Sequence, residues 1–209
     1  WVPLMSLPMV LGIDTPDALP PPATMPADAA RVARWRAIVK GDSRMPVVAL
    51  CWRGNPDFTG DAWRSPGLAA LLPLLTVPGL RFVSLQVGAG RREIVEAGVV
   101  DNIVDVGATI EAEGTQLLDT FAALAGCDFV VSSCTSLAHM AGTVGVPGCV
   151  LLSTRPDWRW LLARSDSPWY PGLKLLRQAT QGDWTQCVAQ ARAGLQRLAQ
   201  RAATDSSGQ

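Results

Sequence analysis

The chain has 209 residues, 48% of them hydrophobic and 17% charged, with as many acidic as basic residues and a formal net charge of zero. That is enough apolar material for one sizeable α/β domain plus an extension. The balanced charge excludes bulk electrostatic binding to nucleic acid or anionic membrane. All basic residues except Lys40 and Lys174 are arginines, which suit bidentate phosphate or carboxylate recognition. Cys51, Cys127, Cys134, Cys149 and Cys187 are scattered, odd in number and without CxxC spacing. They imply neither a disulfide framework nor a zinc site, and they fit a reducing, cytoplasmic compartment. No uninterrupted apolar run is long enough to predict a membrane span.

Residues 1–12, WVPLMSLPMVLG, are apolar but lack the basic start of a signal peptide. They read as the tail of a structure that begins upstream. The segment 14–27 holds five prolines without periodicity, an extended linker. Domain boundaries are therefore expected at 1–27 for tail and linker, 28–201 for the folded domain, and 202–209 for a polar, disordered tail.

Within the domain, Asp28 is placed to cap a helix with Val32, Trp35 and Val39 on one face. MPVVALC at 45–51 reads as a buried strand running into Trp52-Arg53-Gly54-Asn55-Pro56, a loop suited to close approach by a phosphate. Ser65-Pro66 then has the form of an N-cap followed by proline at the first helical position, before a stripe of Leu68, Leu71, Leu72 and Leu75. A strand over 80–86 ending at Gln86, a short helix over 91–97, and a strand over 102–106 carrying Asp105 at its end follow. The next helix, 115–125, is expected to turn Leu118, Phe121, Ala122 and Ala125 inward.

The most informative stretch is GCDFVVSSCTSLAHMAGTVGVPGCVLLS, residues 126–153. It reads as strand, turn, helix, turn, strand, with Thr135 or Ser136 capping the helix and Gly145 then Pro147 ending it. Such a βαβ unit implies a parallel sheet. Hydroxyl residues here stand where a strand's carboxyl end meets a helix amino end, a location attractive to phosphate. The plainer alternative is that they only cap the helix. Beyond Ser153, Trp158, Trp160, Trp169 and Tyr170 crowd two proline-containing loops, either lining a site or covering a sheet edge. A short strand over 173–177 and an amphipathic helix with Trp184, Cys187, Val188, Ala191, Leu195 and Leu198 complete the pattern. About five strands alternating with helices predict a doubly wound, Rossmann-like parallel sheet with helices on both faces.

The run from Val130 to Gly142, followed by Gly145-Val146-Pro147, resembles the C-terminal domain of GT-B glycosyltransferases of the heptosyltransferase type, glycosyltransferase family 9. Leu4-Met5-Ser6-Leu7-Pro8, Trp52 to Pro56, Pro156 to Trp160, Asp166 to Pro171, Arg177-Gln178 and Gly182-Asp183-Trp184 are similar to the C-terminal region of bacterial tetratricopeptide-repeat proteins carrying such a domain. The resemblance runs over nearly the whole chain. It implies the donor-binding half of an inverting, metal-independent glycosyltransferase, with a nucleotide-diphosphate sugar as substrate and no cofactor. The diphosphate would lie at the amino end of the helix beginning near Thr135. Arg53, Gly54 and Arg64 would border it, and a cation there would stabilise the leaving diphosphate.

By the same resemblance Gln86 and Asp105 would lie nearer the nucleoside, and Cys134, Thr135, Ser136 and His139 would face the donor. Members commonly carry Asp where this chain has Cys134, and a thiol cannot accept hydrogen bonds from sugar hydroxyls comparably. The acceptor base would belong to an N-terminal half outside this chain, so the catalytic residue is not assigned and this chain alone is not expected to catalyse transfer. For His139, the sole histidine, the readings are donor contact, acid/base catalysis, or a hydrogen bond to a neighbouring loop. Cys134 as a nucleophile lacks a second histidine to activate it. The alternative function is a degenerate, non-catalytic binding or scaffold module attached to tetratricopeptide repeats. A dinucleotide enzyme is disfavoured because no GxGxxG follows the first strand.

Overall fold

A computed structural model describes residues 1–18, 28–113 and 115–207. Most of the proline-rich linker expected over 14–27 therefore lies outside the described residues. The opening segment forms a 3-10 turn, Leu4–Ser6, and a single helical turn, α1 (Leu7–Val10), with Leu4, Met5, Met9 and Leu11 exposed.

Among the described residues the domain is a six-stranded, wholly parallel sheet. Its strands are β1 (Val47–Cys51), β2 (Arg81–Ser84), β3 (Ile103–Asp105), β4 (Phe129–Ser133), β5 (Gly148–Leu152) and β6 (Leu173–Arg177). Their order is β3-β2-β1-β4-β5-β6, so the winding direction reverses between β1 and β4. That is one strand more than the "about five" expected from sequence, and the doubly wound class is as expected. The central strands β1 and β5 are buried at every position. This is why they read as unbroken apolar runs rather than alternating ones.

Alternate side chains of each strand enter opposite cores. Val47, Ala49 and Cys51 of β1 pack with Val130, Val150 and Leu173 under α2 (Ala29–Lys40), α6 (Val106–Glu113), α7 (Gln116–Ala125) and α8 (Ser136–Val144). Val48 and Leu50 pack with Val131, Cys149 and Leu151 under α4 (Leu68–Leu75), α5 (Glu93–Glu96) and α9 (Thr185–Ser207). A short α3 (Asp61–Arg64) lies in the loop after β1. Helix α9 carries the expected stripe but continues to Ser207, so the polar segment from Ala202, expected as a disordered tail, is helical that far.

Local chemistry explains the boundaries. Asp28 caps α2 by accepting from the Arg31 amide at 2.7 Å, as the sequence predicts. Gly145 ends α8 in the left-handed conformation at φ 86°. Two expectations are corrected. Ser65 does not cap α4, whose N-cap is Gly67 at φ 73°; the Ser65 hydroxyl turns inward, donating to Asp61 Oδ1 at 2.9 Å and accepting from the Gly54 amide at 3.0 Å. On α7, Leu118 is exposed, and Asp119 takes an inward position beside Ala122 and Ala123. Burial alone would push the Asp119 carboxyl up. Hydrogen bonds from Thr115, from the Trp35 indole at 2.8 Å and from Arg31 at 2.5 Å, with the Arg31 charge, overcome that and hold it below the ordinary carboxylate value. The carboxylate thereby ties α7 to α2, a connection invisible to hydrophobic periodicity.

Candidate functional site

Ligands of open parallel sheets bind beyond the strands' carboxyl ends where the winding reverses. The carboxyl ends of β1 and β4 open there into a cleft of about 1220 Å³. The loop after β1 supplies Arg53, Gly54, Asp61 and Arg64; the β2 end supplies Gln86; α8 supplies Ser136 and His139; the loop after β5 supplies Asp157 and Arg159. Eight of the nine residues singled out from sequence line this one cavity. The ninth, Asp105, does not. It pairs with Arg91 at 2.9 Å, receives the Ala108 amide at 3.2 Å, and lines a separate cavity of about 690 Å³.

Helix α8 begins at the centre of the cleft. Thr135 occupies its N-cap position in extended geometry, φ −132° and ψ 173°, but makes no side-chain cap bond. Its hydroxyl turns down instead to Ser132 Oγ at 3.3 Å and Cys51 Sγ at 3.7 Å. This corrects the expectation that Thr135 or Ser136 caps the helix by its side chain. Ser136 is exposed at the first helical position. The helix therefore presents the Ser136 and Leu137 N–H groups and the positive end of its dipole to the cleft, with no side-chain acceptor in front of them among the described residues, while the Ala138 N–H is taken by Thr135 O at 3.2 Å.

Two predicted residues have other duties. Gln86 is only 2% exposed. Its Oε1 accepts the Trp52 amide at 3.1 Å and the Arg53 amide at 2.8 Å, while its Nε2 donates to Arg53 O at 3.2 Å and Val87 O at 2.8 Å. It is a clamp that shapes the loop after β1. The Gly54 amide is likewise taken by Ser65, and a Cβ on Gly54 would stand 2.4 Å from both Arg64 Nη2 and Asp61 Oδ1. Glycine here admits the Arg64–Asp61 pair against the backbone.

Cys134 sits beneath the cleft, 7% exposed, with its Sγ accepting the Trp160 indole N–H at 3.2 Å. Burial pushes this thiol up, and the indole bond only partly offsets that. A protonated, covered thiol is a poor nucleophile. The His139 ring stacks on Trp160 at 4.7 Å and an interplanar angle of 17°, and its Nδ1 meets the Tyr170 hydroxyl at 3.2 Å. Burial first, then the Arg159 cation, lower the His139 pKa, so the ring is neutral at pH 7. The hydrogen bond to the loop carrying Tyr170, one of the three readings for this residue, is present; His139 also lines the cleft. Gly142 lets Tyr170 dock, since a Cβ there would lie 2.2 Å from its ring. Of the two aromatic loops only Asp157 and Arg159 line the cleft; the aromatic side chains do not, Trp160 being fully buried in one core with Tyr170 packed against it and Trp158 exposed.

Sequence reasoning missed the acids. Among the described residues, each of the four arginines lining the cleft faces a carboxylate that lines it too: Arg53 with Glu93, Arg64 with Asp61 at 3.1 Å, Arg92 with Glu96 at 3.7 Å, and Arg159 with Asp157 at 3.0 Å. The Asp61–Arg64 and Arg92–Glu96 spacings, i,i+3 and i,i+4, were a signal that could have found two of these pairs. Among the described residues, no three His, Cys, Asp or Glu side chains are grouped to hold a metal ion, and no helix is long and apolar enough to cross a membrane.

No protein-family model matches the chain. Protein FlbA of Caulobacter vibrioides is 31% identical over 167 residues, which cover 78% of this chain and 27% of FlbA. The chain thus spans about a quarter of the length of the curated relative it matches. Among solved structures, E. coli ADP-heptose lps heptosyltransferase II is similar with a TM-score of 0.58 at 17% identity, covering 90% of this chain and 58% of the other. The glycosyl transferase family 9 protein of Veillonella parvula also gives 0.58, at 12% identity over 96% of this chain and 59% of the other. The fold is heptosyltransferase-like. E. coli heptosyltransferase WaaC with ADP-2-deoxy-2-fluoro heptose agrees, with a TM-score of 0.52 at 16% identity over 83% of this chain and 49% of that one.

Proposed function

We propose that the chain is the donor-binding half of an inverting, metal-independent glycosyltransferase, taking a nucleotide-diphosphate sugar as substrate and needing no cofactor. The observation that carries this reading is the amino end of α8, which opens without a side-chain cap at the reversal point of the sheet, in a cleft bordered by Arg53 and Arg64. Backbone N–H groups and the helix dipole there suit a diphosphate, and the arginines would stabilise charge developing on it as the glycosidic bond breaks. Thr135, Ser136 and His139 form the floor of the same seat. An N-terminal GT-B half would supply the acceptor and its base, and upstream tetratricopeptide repeats would carry the pair in the cytoplasm. The likeness to heptosyltransferase structures supports the reading, because one of them is described with an ADP-sugar analogue.

Isothermal titration of ADP, UDP and GDP and their sugar conjugates tests it, with Ser136→Glu as the control. A carboxylate in the first turn favours the helix itself but fills the anion seat. Saturable binding of one diphosphate, lost in Ser136→Glu at unchanged melting temperature, supports the reading. Equal binding by the variant refutes it.

The second reading, a non-catalytic binding or scaffold module, is favoured by one observation, the cleft's four acid–arginine pairs, which leave no surplus positive charge. It predicts no nucleotide binding even when the chain is joined to its N-terminal half.

A further inference from the structure

A diphosphate entering this cleft meets four arginines, each already facing a carboxylate. The pairs are not equally easy to open. Arg64 is held between Asp61 and the face of Phe58, 4.5 Å from the ring centroid, and its side chain is 24% exposed. Arg159 is gripped through one nitrogen by both oxygens of Asp157 at 3.0 Å, and the same Asp157 caps the turn Trp158–Trp160 by accepting the Arg159 amide. Arg92 and Glu96 are the most exposed pair, 75% and 63%, and the loosest.

Arg53 and Glu93 differ from all three. The Arg53 side chain is 42% exposed, whereas its partner is 16% exposed and fixed from behind: Glu93 Oε1 accepts from Arg53 Nε while Oε2 accepts the Leu68 amide at 2.8 Å, at the start of α4. The pair lies against Gly67, where a Cβ would stand 3.2 Å from Arg53 Nη2 and 3.3 Å from Glu93 Oε2. The acid has a structural post and stays; among the described residues Glu93 is the one partner holding the Arg53 head, which can swing into the cleft. Resting on the donor-cleft reading above, we propose that Glu93 is an internal competitor for Arg53 that sets the cleft's affinity for phosphate. It holds Arg53 out of use until a polyanion outbids it, and so determines how strongly charged a ligand must be to be retained.

The competition predicts opposite outcomes from breaking one pair at its two ends. Glu93→Gln keeps an amide oxygen for the Leu68 N–H and removes the charge, freeing Arg53. Arg53→Met removes the cation itself. The probe is inorganic pyrophosphate, titrated calorimetrically into the full chain alongside ADP, UDP and GDP, with thermal melts of each variant. Glu93→Gln is expected to bind pyrophosphate roughly two- to fivefold more tightly, the range set by a partly exposed charge pair, with a steeper loss of affinity in added salt. Arg53→Met is expected to bind more weakly than the wild type, and the double variant to lose the gain. A purely structural pair would move both single variants in the same direction.

Equal or weaker pyrophosphate binding by a folded Glu93→Gln chain overturns the proposal. So does a gain that survives in the double variant, or absence of pyrophosphate binding by every variant. The donor reading fails separately. If pyrophosphate follows the predicted pattern while no nucleoside diphosphate binds more tightly than pyrophosphate, Glu93 is the competitor described and the nucleotide-sugar assignment is wrong.

Discussion

Replacing Gln86 isolates the part of the site that is shape rather than ligand contact. In Gln86→Leu the amides of Trp52 and Arg53 lose the acceptor that both use, and Arg53 O loses an amide donor. Val87 is exposed and its carbonyl can turn to water, but Gln86 and Trp52 are buried. A buried donor left without a partner costs about 1–3 kcal/mol. Allowing for the burial of leucine in the vacated space, a loss of about 2–4 kcal/mol in urea unfolding follows. Gln86→Glu tests the donor half of the clamp separately. One carboxylate oxygen still accepts from both amides, but the other faces two carbonyl oxygens that previously accepted from Nε2. The charged form is therefore disfavoured and the folded pKa rises above the ordinary value of about 4.3. This pH-dependent part of the stability is full below that value, where the protonated acid still donates to one of the two carbonyls, and is lost as pH rises through the raised pKa. Unfolding at pH 4 and pH 7 checks it. A Gln86→Leu variant within about 0.5 kcal/mol of the wild type, or a Gln86→Glu variant with no added penalty at pH 7, refutes the clamp.

Gly107→Ala is expected to destabilise by more than about 2 kcal/mol in the same assay, although alanine normally stabilises a helix interior, because the new Cβ would stand 1.9 Å from Gln86 O. Trp160→Ala should cost about 3–5 kcal/mol and should make Cys134 react with a maleimide, read by mass spectrometry, whereas in the wild type it stays protected. His139, the sole histidine, should titrate by NMR below its ordinary value of 6.5. Since the unfolded chain binds that proton first, the domain should lose stability as pH falls below about 6.5.

The sheet was legible because β1, β4 and β5 are buried on both faces and so appear as apolar runs bounded by turn residues. The position of the cleft was legible for a related reason: Ser132 to Ser136 can only lie where a strand ends and a helix begins. What sequence could not supply was the direction of polar side chains. Ser65-Pro66 has the form of a helix start, yet Ser65 bonds Asp61 and Gly54 because Gly67 provides the entry angle. Leu118 fits an apolar stripe, yet Asp119 is buried in its place, since Trp35 and Arg31 across the α2–α7 contact satisfy it. Gln86 and Asp105 both end strands at the ligand edge, but one is consumed by the backbone beside it and the other by Arg91. The Arg53–Glu93 pair joins residues 40 positions apart, and no local spacing betrays it.

The proposed function stands or falls with a diphosphate seated on the amino end of α8. The most direct test is amide NMR of the chain titrated with the nucleoside diphosphate that binds best. A diphosphate seated there gives saturable shifts largest at Ser136 and Leu137, with a smaller response at His139 and in the Arg53 side chain. Saturable binding whose shifts cluster elsewhere, such as the separate cavity around Arg91 and Asp105, would contradict it.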